Sequence, residues 1–132
     1  MSDGVNLLDG NGKLVWISDP SSAYHHARYV RHARCPEVEH IILQSAYWSH
    51  YYAYAVIRGP WPAADSIIIT NPEMAYYHAK DVLKRRWPDA EEGIFKEGKK
   101  VPKAYLAQFP EAAADWLALG WTKVLSSYEV NE

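Results

Sequence analysis

Small and apolar side chains recur along this chain at the spacing of a helix rather than a strand. Taking about 100° per residue, Ala23, Ala27 and Val30 fall on one narrow stripe. Ala53 with Val56, and Ala79 with Val82, continue the pattern at a constant interval of 26 residues. Start signals precede each stripe: Asp19-Pro20 and Asn71-Pro72 offer a capping side chain followed by a proline whose missing N–H is not needed there, and Ser45 can cap in the same way. The pattern predicts first helices of about 12 to 14 residues, reaching Ala33, Gly59 and Arg85. Pro36, Pro62 and Pro88 block their continuation and open a second, shorter helix, predicted to end at Leu43, Ile69 and Phe95. Around the first helix, Tyr24, His50 and Tyr76 share one flank with Arg31, Ile57 and Leu83, while His26, Tyr52 and His78 share the other. His25, Tyr51 and Tyr77, with Arg28, Tyr54 and Lys80, occupy the remaining face and are expected to form an exposed ladder.

The interval makes the chain a tandem repeat, with ungapped copies at 18–43, 44–69 and 70–95, of which the first and third share ten of 26 positions. Pro36, Pro62 and Pro88 align, as do Ile42, Ile68 and Ile94, and the acids Glu39, Asp65 and Glu91. The flanks read as partial copies. Leu14-Val15-Trp16-Ile17 takes the place of the second-helix end one repeat earlier, within an N-terminal cap of residues 1–17. Phe109-Pro110-Glu111-Ala112 matches Trp87-Pro88-Asp89-Ala90 at a spacing of 22, which makes 96–120 a degenerate capping repeat. The expected architecture is one all-α domain, a short α-solenoid of helix–short helix units with degenerate terminal caps. Asp9-Gly10-Asn11-Gly12 marks a turn that either closes a small hairpin or stays mobile. Ala104 to Leu119 is expected to be a closing helix broken at Pro110 and ended by Gly120, followed by a tail, 121–132, that packs or self-associates through Trp121, Val124, Leu125 and Tyr128.

Composition narrows the picture further. A length of 132 residues suits a single core, and 48% apolar residues exclude a disordered chain. Six Trp and ten Tyr against two Phe form an excess of aromatic rings with polar tips, the kind that gathers where surfaces meet partners or water. A net charge of -2 argues against a dedicated nucleic-acid binder, although Lys80 to Lys103 holds eight bases and five acids. A single Cys35 gives no disulfide framework, the first residues lack a signal-peptide pattern, and no stretch reaches the roughly 20 apolar residues of a membrane span. The expectation is a cytoplasmic protein.

The candidate chemistry is thin. His25 and His26 point about 100° apart on a helix, and His26 and His78 are two repeats apart, so no metal site and no cofactor is expected. Cys35 aligns with Trp61 and Trp87, as a packing residue would, and Glu39, Asp65 and Glu91 recur at a helix start where the dipole favours them. No phosphate-cradling glycine loop, nucleophile elbow or Cys-x-x-Cys pair is present, so the chain reads as a non-enzyme. Two function classes remain. A protein-binding module would use His25, Tyr51, Tyr77, Tyr54, Arg28, Lys80 and Trp48; a nucleic-acid or nucleotide binder would instead depend on Lys84, Arg85 and Arg86 together with Arg28 and Lys80.

The segments YHAKDVLKRRWPDAEEGIF and YYAYAVIRGPWPAADSIII resemble tandem helical repeats in proteins of bacteriophages and prophages. Those units read roughly as Tyr-Ala, a Val-Ile/Leu pair, a basic stretch, Trp-Pro, an acid and Ile. The resemblance covers about residues 14 to 117 and departs from the pattern at Cys35 and Pro60. It implies a phage protein that acts by binding a host protein, with inhibition of a bacterial defence complex, as by an anti-CRISPR protein, as the function that suits it.

Overall fold

The computed structural model describes residues 4–98 and 100–118. It is mostly helical and divides into two compact units, Met1–Ile68 and Ile69–Glu132, so the break falls at the end of the second repeat.

The first unit opens with an antiparallel hairpin of β1 (Val5–Leu8) and β2 (Leu14–Ile17), paired Val5↔Ile17, Asn6↔Trp16, Leu7↔Val15 and Leu8↔Leu14. This corrects the reading of Leu14–Ile17 as a helical partial copy. Its alternating Leu-Val-Trp-Ile run suits a strand, and the turn before it is strongly built. Asp9 accepts the backbone N–H of Asn11 at 2.8 Å and of Lys13 at 2.9 Å, and Gly12 takes a φ of 81° that a side chain would resist. Val5, Leu7, Val15 and Ile17 face inward, while Leu8, Leu14 and Trp16 face solvent.

Each repeat then follows one plan. Its first helix starts as α-helix and finishes as π-helix: α1 runs through Pro20–His25 and His26–Arg31, α3 through Ala46–Tyr52 and Ala53–Ile57, and α5, in the second unit, through Pro72–His78 and Ala79–Leu83. The caps are those the sequence predicts: Asp19, Ser45 and Asn71 accept from the N–H of Ser22, Trp48 and Met74. The endings were not predicted. His32, Arg58 and Lys84 take left-handed φ values of 55°, 62° and 56°, and each sends its N–H back five residues, to the carbonyl of Ala27, Ala53 or Ala79. The next N–H, of Ala33, Gly59 or Arg85, bonds the same carbonyl. Three basic residues thus adopt a conformation usually left to glycine, at a helix end whose dipole favours cations.

The second helices are α2 (Pro36–Ile42), α4 (Pro62–Ala64, a 3-10 turn, leading into Asp65–Ile68) and α6 (Pro88–Phe95). In the first unit α1 packs on α2 and α3, and α3 packs on α4, with Ala23, Ala27, Val38, Ile41, Ile42, Ala53, Ala64 and Ile68 buried. The alanines let the helix axes approach closely, which is what the small-residue stripe requires. In the second unit α5 packs on α6 and on α7 (Lys100–Gln108), and α7 contacts α8 (Glu111–Ala118). The closing helix therefore starts four residues before the expected Ala104, because Pro102 sits in the first turn of α7, where proline is tolerated. Gly120 and the tail residues Trp121, Val124, Leu125 and Tyr128 lie outside the described residues.

Candidate functional site

The densest exposed chemistry of the first unit lies on α1 and α3. Trp48, three residues past the Ser45 cap, stands with its ring 5.0 Å from Tyr24, 5.4 Å from His25 and 4.8 Å from Tyr47. From there the rings run on in both directions. His25 stacks on Tyr29 at 5.8 Å; Tyr47 reaches Tyr51 at 4.8 Å, Tyr51 reaches His50 at 4.9 Å, and His50 stacks on Tyr54 at 6.1 Å. Tyr29, Tyr47 and Tyr54 are 57%, 45% and 51% exposed, so the run comes to the surface at these three rings, whereas His50, 2% exposed, joins Tyr51 to Tyr54 from the interior. Helical spacing explains the His25–Tyr29, Tyr47–Tyr51 and His50–Tyr54 contacts, since residues four apart are neighbours on a helix. The packing of α1 on α3 supplies the contacts of Trp48 with Tyr24 and His25, and large adjacent side chains supply Tyr47–Trp48 and His50–Tyr51.

Charge is built into the same surface. The Arg28 guanidinium donates to the Tyr24 hydroxyl at 2.7 Å and lies over the Tyr24 and Tyr29 rings, 5.9 and 5.0 Å from their centroids. Nδ1 of His25 donates to the Ser21 carbonyl at 2.7 Å, which leaves its Nε2 as the acceptor of the neutral ring. The second unit repeats the motif in smaller form, with Lys80 over Tyr76 at 5.9 Å and the Tyr76 and Tyr77 rings 5.2 Å apart.

Of the seven residues expected at a protein interface, His25, Arg28, Trp48, Tyr51 and Tyr54 come together in the first unit, and Tyr77 and Lys80 belong to the second. His25, Arg28, Tyr54 and Lys80 are exposed, but Tyr51, Tyr77 and Trp48 are half-buried, a partial correction to the exposed ladder. Neighbouring rings cover them. Tyr29 and Tyr47 were missed as site residues, although Tyr29 follows His25 by four positions and so shares its face.

Within the basic run, Arg86 is engaged by the fold. Arg86 donates to Glu91 through Nε at 2.9 Å and through a terminal nitrogen at 2.5 Å, and to Asp115 at 2.6 Å; it is a structural ion pair. Arg85 turns to the Arg86 carbonyl at 3.3 Å, and Lys84, the left-handed helix end, is exposed like Arg85, so of the three bases only Arg86 is tied up in ion pairs.

A second correction concerns the aligned acids, which do more than face a helix dipole. Cys35 and Trp87 precede the proline of a second helix, and neither side chain can cap it. A tyrosine from further along the chain supplies the partner. Tyr52 accepts the Cys35 N–H at 2.8 Å and donates to Glu39 at 2.7 Å, while Arg34 holds Glu39 at 2.7 Å. Tyr105 accepts the Trp87 N–H at 2.8 Å and donates to Glu91 at 2.6 Å, with Arg86 on Glu91. These triads are internal fastenings. The middle copy has Pro60 and Asp65 at the positions of the arginine and the glutamate.

Cys35 itself is fully buried, and that burial, followed by the nearby Glu37 charge, pushes its thiol up, opposite to what a thiolate nucleophile needs. Among the described residues no group of three or more His, Cys, Asp or Glu could hold a metal ion, and no helix is long and apolar enough to cross a membrane. Comparison of the chain with protein-family models, curated proteins and solved structures finds no match.

Proposed function

We propose that this chain is a non-enzymatic protein-binding module, with its 26-residue units arranged as a short solenoid and its contact surface formed by the rings of α1 and α3. The observation that carries the reading is the unbroken ring run from Tyr29 to Tyr54, with three tyrosines about half exposed. Trp, Tyr and Arg dominate the energetics of protein interfaces because they bring large rigid area and a polar tip at low entropic cost. A solitary exposed tyrosine is ordinary surface; three half-exposed tyrosines joined through a continuous succession of ring contacts are not. The resemblance to phage repeat proteins extends the proposal to a bacterial cytoplasm, with a host protein, such as a CRISPR defence complex, as the partner and its inhibition as the outcome. The commitment of Arg86 to Glu91 and Asp115 weighs against nucleic acid as the partner.

Site-specific photocrosslinking tests this reading. With p-benzoylphenylalanine in place of Tyr54, a discrete crosslinked protein is expected from bacterial cells that make the chain, and none from the same group at Ser66 of α4, which is also exposed. Equal crosslinking at both positions, or none at Tyr54, overturns the proposal.

A further inference from the structure

The two helices that carry the rings are devoid of acid: there is no Asp or Glu from Pro20 to Pro36, and none from His40 to Ala64. The carboxylates elsewhere in the described part of the first unit are engaged. Asp9 holds its turn, Asp19 caps α1, Glu37 pairs with Arg31 at 3.3 Å, Glu39 pairs with Arg34, and Asp65 has a partner as well. Arg28 is different. It is exposed, is held in place by the Tyr24 hydroxyl and two ring faces, and meets no carboxylate among the described residues. Tyr29, which lies under Arg28, and Tyr47 and Tyr54 further along the run are about half exposed, and their hydroxyls make no hydrogen bond to described residues.

From this arrangement, and resting on the protein-binding reading above, we infer that the surface takes an acidic segment of a protein partner. Its carboxylates meet Arg28 and the tyrosine hydroxyls, and its apolar side chains lie on the rings of Tyr29, Trp48 and Tyr54. A guanidinium already fixed over aromatic rings loses little freedom when a carboxylate arrives, and a face without acids offers such a segment no repulsion. Nucleic acid fits less well. A phosphate backbone calls for several cations along its track, whereas on α1 and α3 only Arg28 is set among the rings: Arg31 is paired with Glu37 and Arg58 stands at the far end of α3. Several ring pairs also meet steeply, at 79° for Tyr47 and Trp48 and 63° for His25 and Trp48, rather than forming parallel shelves for successive bases.

Peptide display on the immobilised full chain tests the inference, with randomised dodecapeptides as the probe. Asp and Glu are expected to rise about threefold over their share of the library, and the best peptide is expected to lose about tenfold in affinity with Arg28→Gln, recovering in part with Arg28→Lys. Tyr29→Ala combined with Tyr54→Ala is expected to weaken it at least as much, with the thermal unfolding of every variant close to that of the parent. Selected peptides that need Tyr29 and Tyr54 but are not enriched in acids overturn the acidic partner and leave protein binding standing. Peptides indifferent to all these variants, or a selection that enriches nothing, overturn both. A labelled oligothymidylate that binds more tightly than the best peptide and depends on Arg28 assigns the surface to nucleic acid and also overturns the inference.

Discussion

A phenol can accept one hydrogen bond and donate another, and Tyr52 and Tyr105 use both capacities where no side-chain cap exists. Burial, and then the hydrogen bond to Glu39 or Glu91, pushes each phenol well above its ordinary range, so both remain protonated donors wherever the protein is handled. Their surroundings differ in one respect that decides a prediction. The Glu39 side chain is 16% exposed and can recruit water, whereas that of Glu91 is 3% exposed. Tyr105→Phe therefore leaves the buried Trp87 N–H without its partner and takes one donor from the buried Glu91 carboxylate oxygen that Arg86 also holds, at a cost of about 1–3 kcal/mol, and Tyr52→Phe costs less. Urea unfolding of the two variants checks the order. A Tyr105→Phe protein with the parent midpoint would show that the hydroxyl is dispensable.

At the scale of elements, the helix starts were legible because they depend on nearest neighbours: a capping oxygen, a proline, and an interval of 26 residues that phases them. The helix ends were not. Their geometry is set by two N–H groups converging on Ala27, Ala53 or Ala79, and no residue type marks the left-handed position: His32, Arg58 and Lys84 occupy it, while Gly59 stands one place too late. The triads escaped notice for a related reason, since each joins residues 13 to 18 positions apart and one tyrosine, Tyr105, lies off the 26-residue interval. The N-terminal hairpin was visible only as a turn with two outcomes. A left-handed conformation costs a residue with a Cβ roughly 1–2 kcal/mol, part of which glycine returns as extra freedom of the unfolded chain. Lys84→Gly is accordingly expected to stabilise the second unit by about 0.5–1 kcal/mol, with Lys84→Ala, which loses the same charge and keeps the strain, as its control. Equal unfolding midpoints for the two variants would mean that the conformation carries no strain.

At the scale of the molecule, the aromatic excess divides between interior and surface, and much of that division could be read in advance. The buried rings of Tyr24, Tyr52, Trp61 and Trp87 sit on the flanks and junctions that the repeat assigned to packing. The surface run differs from the expected ladder because rings four apart lean on one another, which draws in Tyr29 through His25 and Tyr47 through Tyr51. The interior also holds histidine, which makes stability depend on pH. His26 is 5% exposed, and its Nε2 has no hydrogen-bond partner among the described residues. Burial, and then the charge of Arg31, lowers its pKa from 6.5. The unfolded chain therefore takes up the proton first, so the first unit keeps its full stability above pH 6.5 and loses some as pH falls below it. Glu39 acts in a separate window. The bonds from Arg34 and Tyr52 outweigh its burial and hold its pKa below 4.5, so its contribution is intact above that value and lost as pH falls through the lower folded one. His26→Phe is expected to fold, since Tyr52 fills the equivalent place with an aromatic ring, and to flatten the fall in unfolding midpoint between about pH 6.5 and 5 while leaving the steeper loss below about pH 4.5 unchanged. Denaturant titrations of parent and variant across both windows would show it. An unchanged slope in the upper window would place the acid sensitivity on another group.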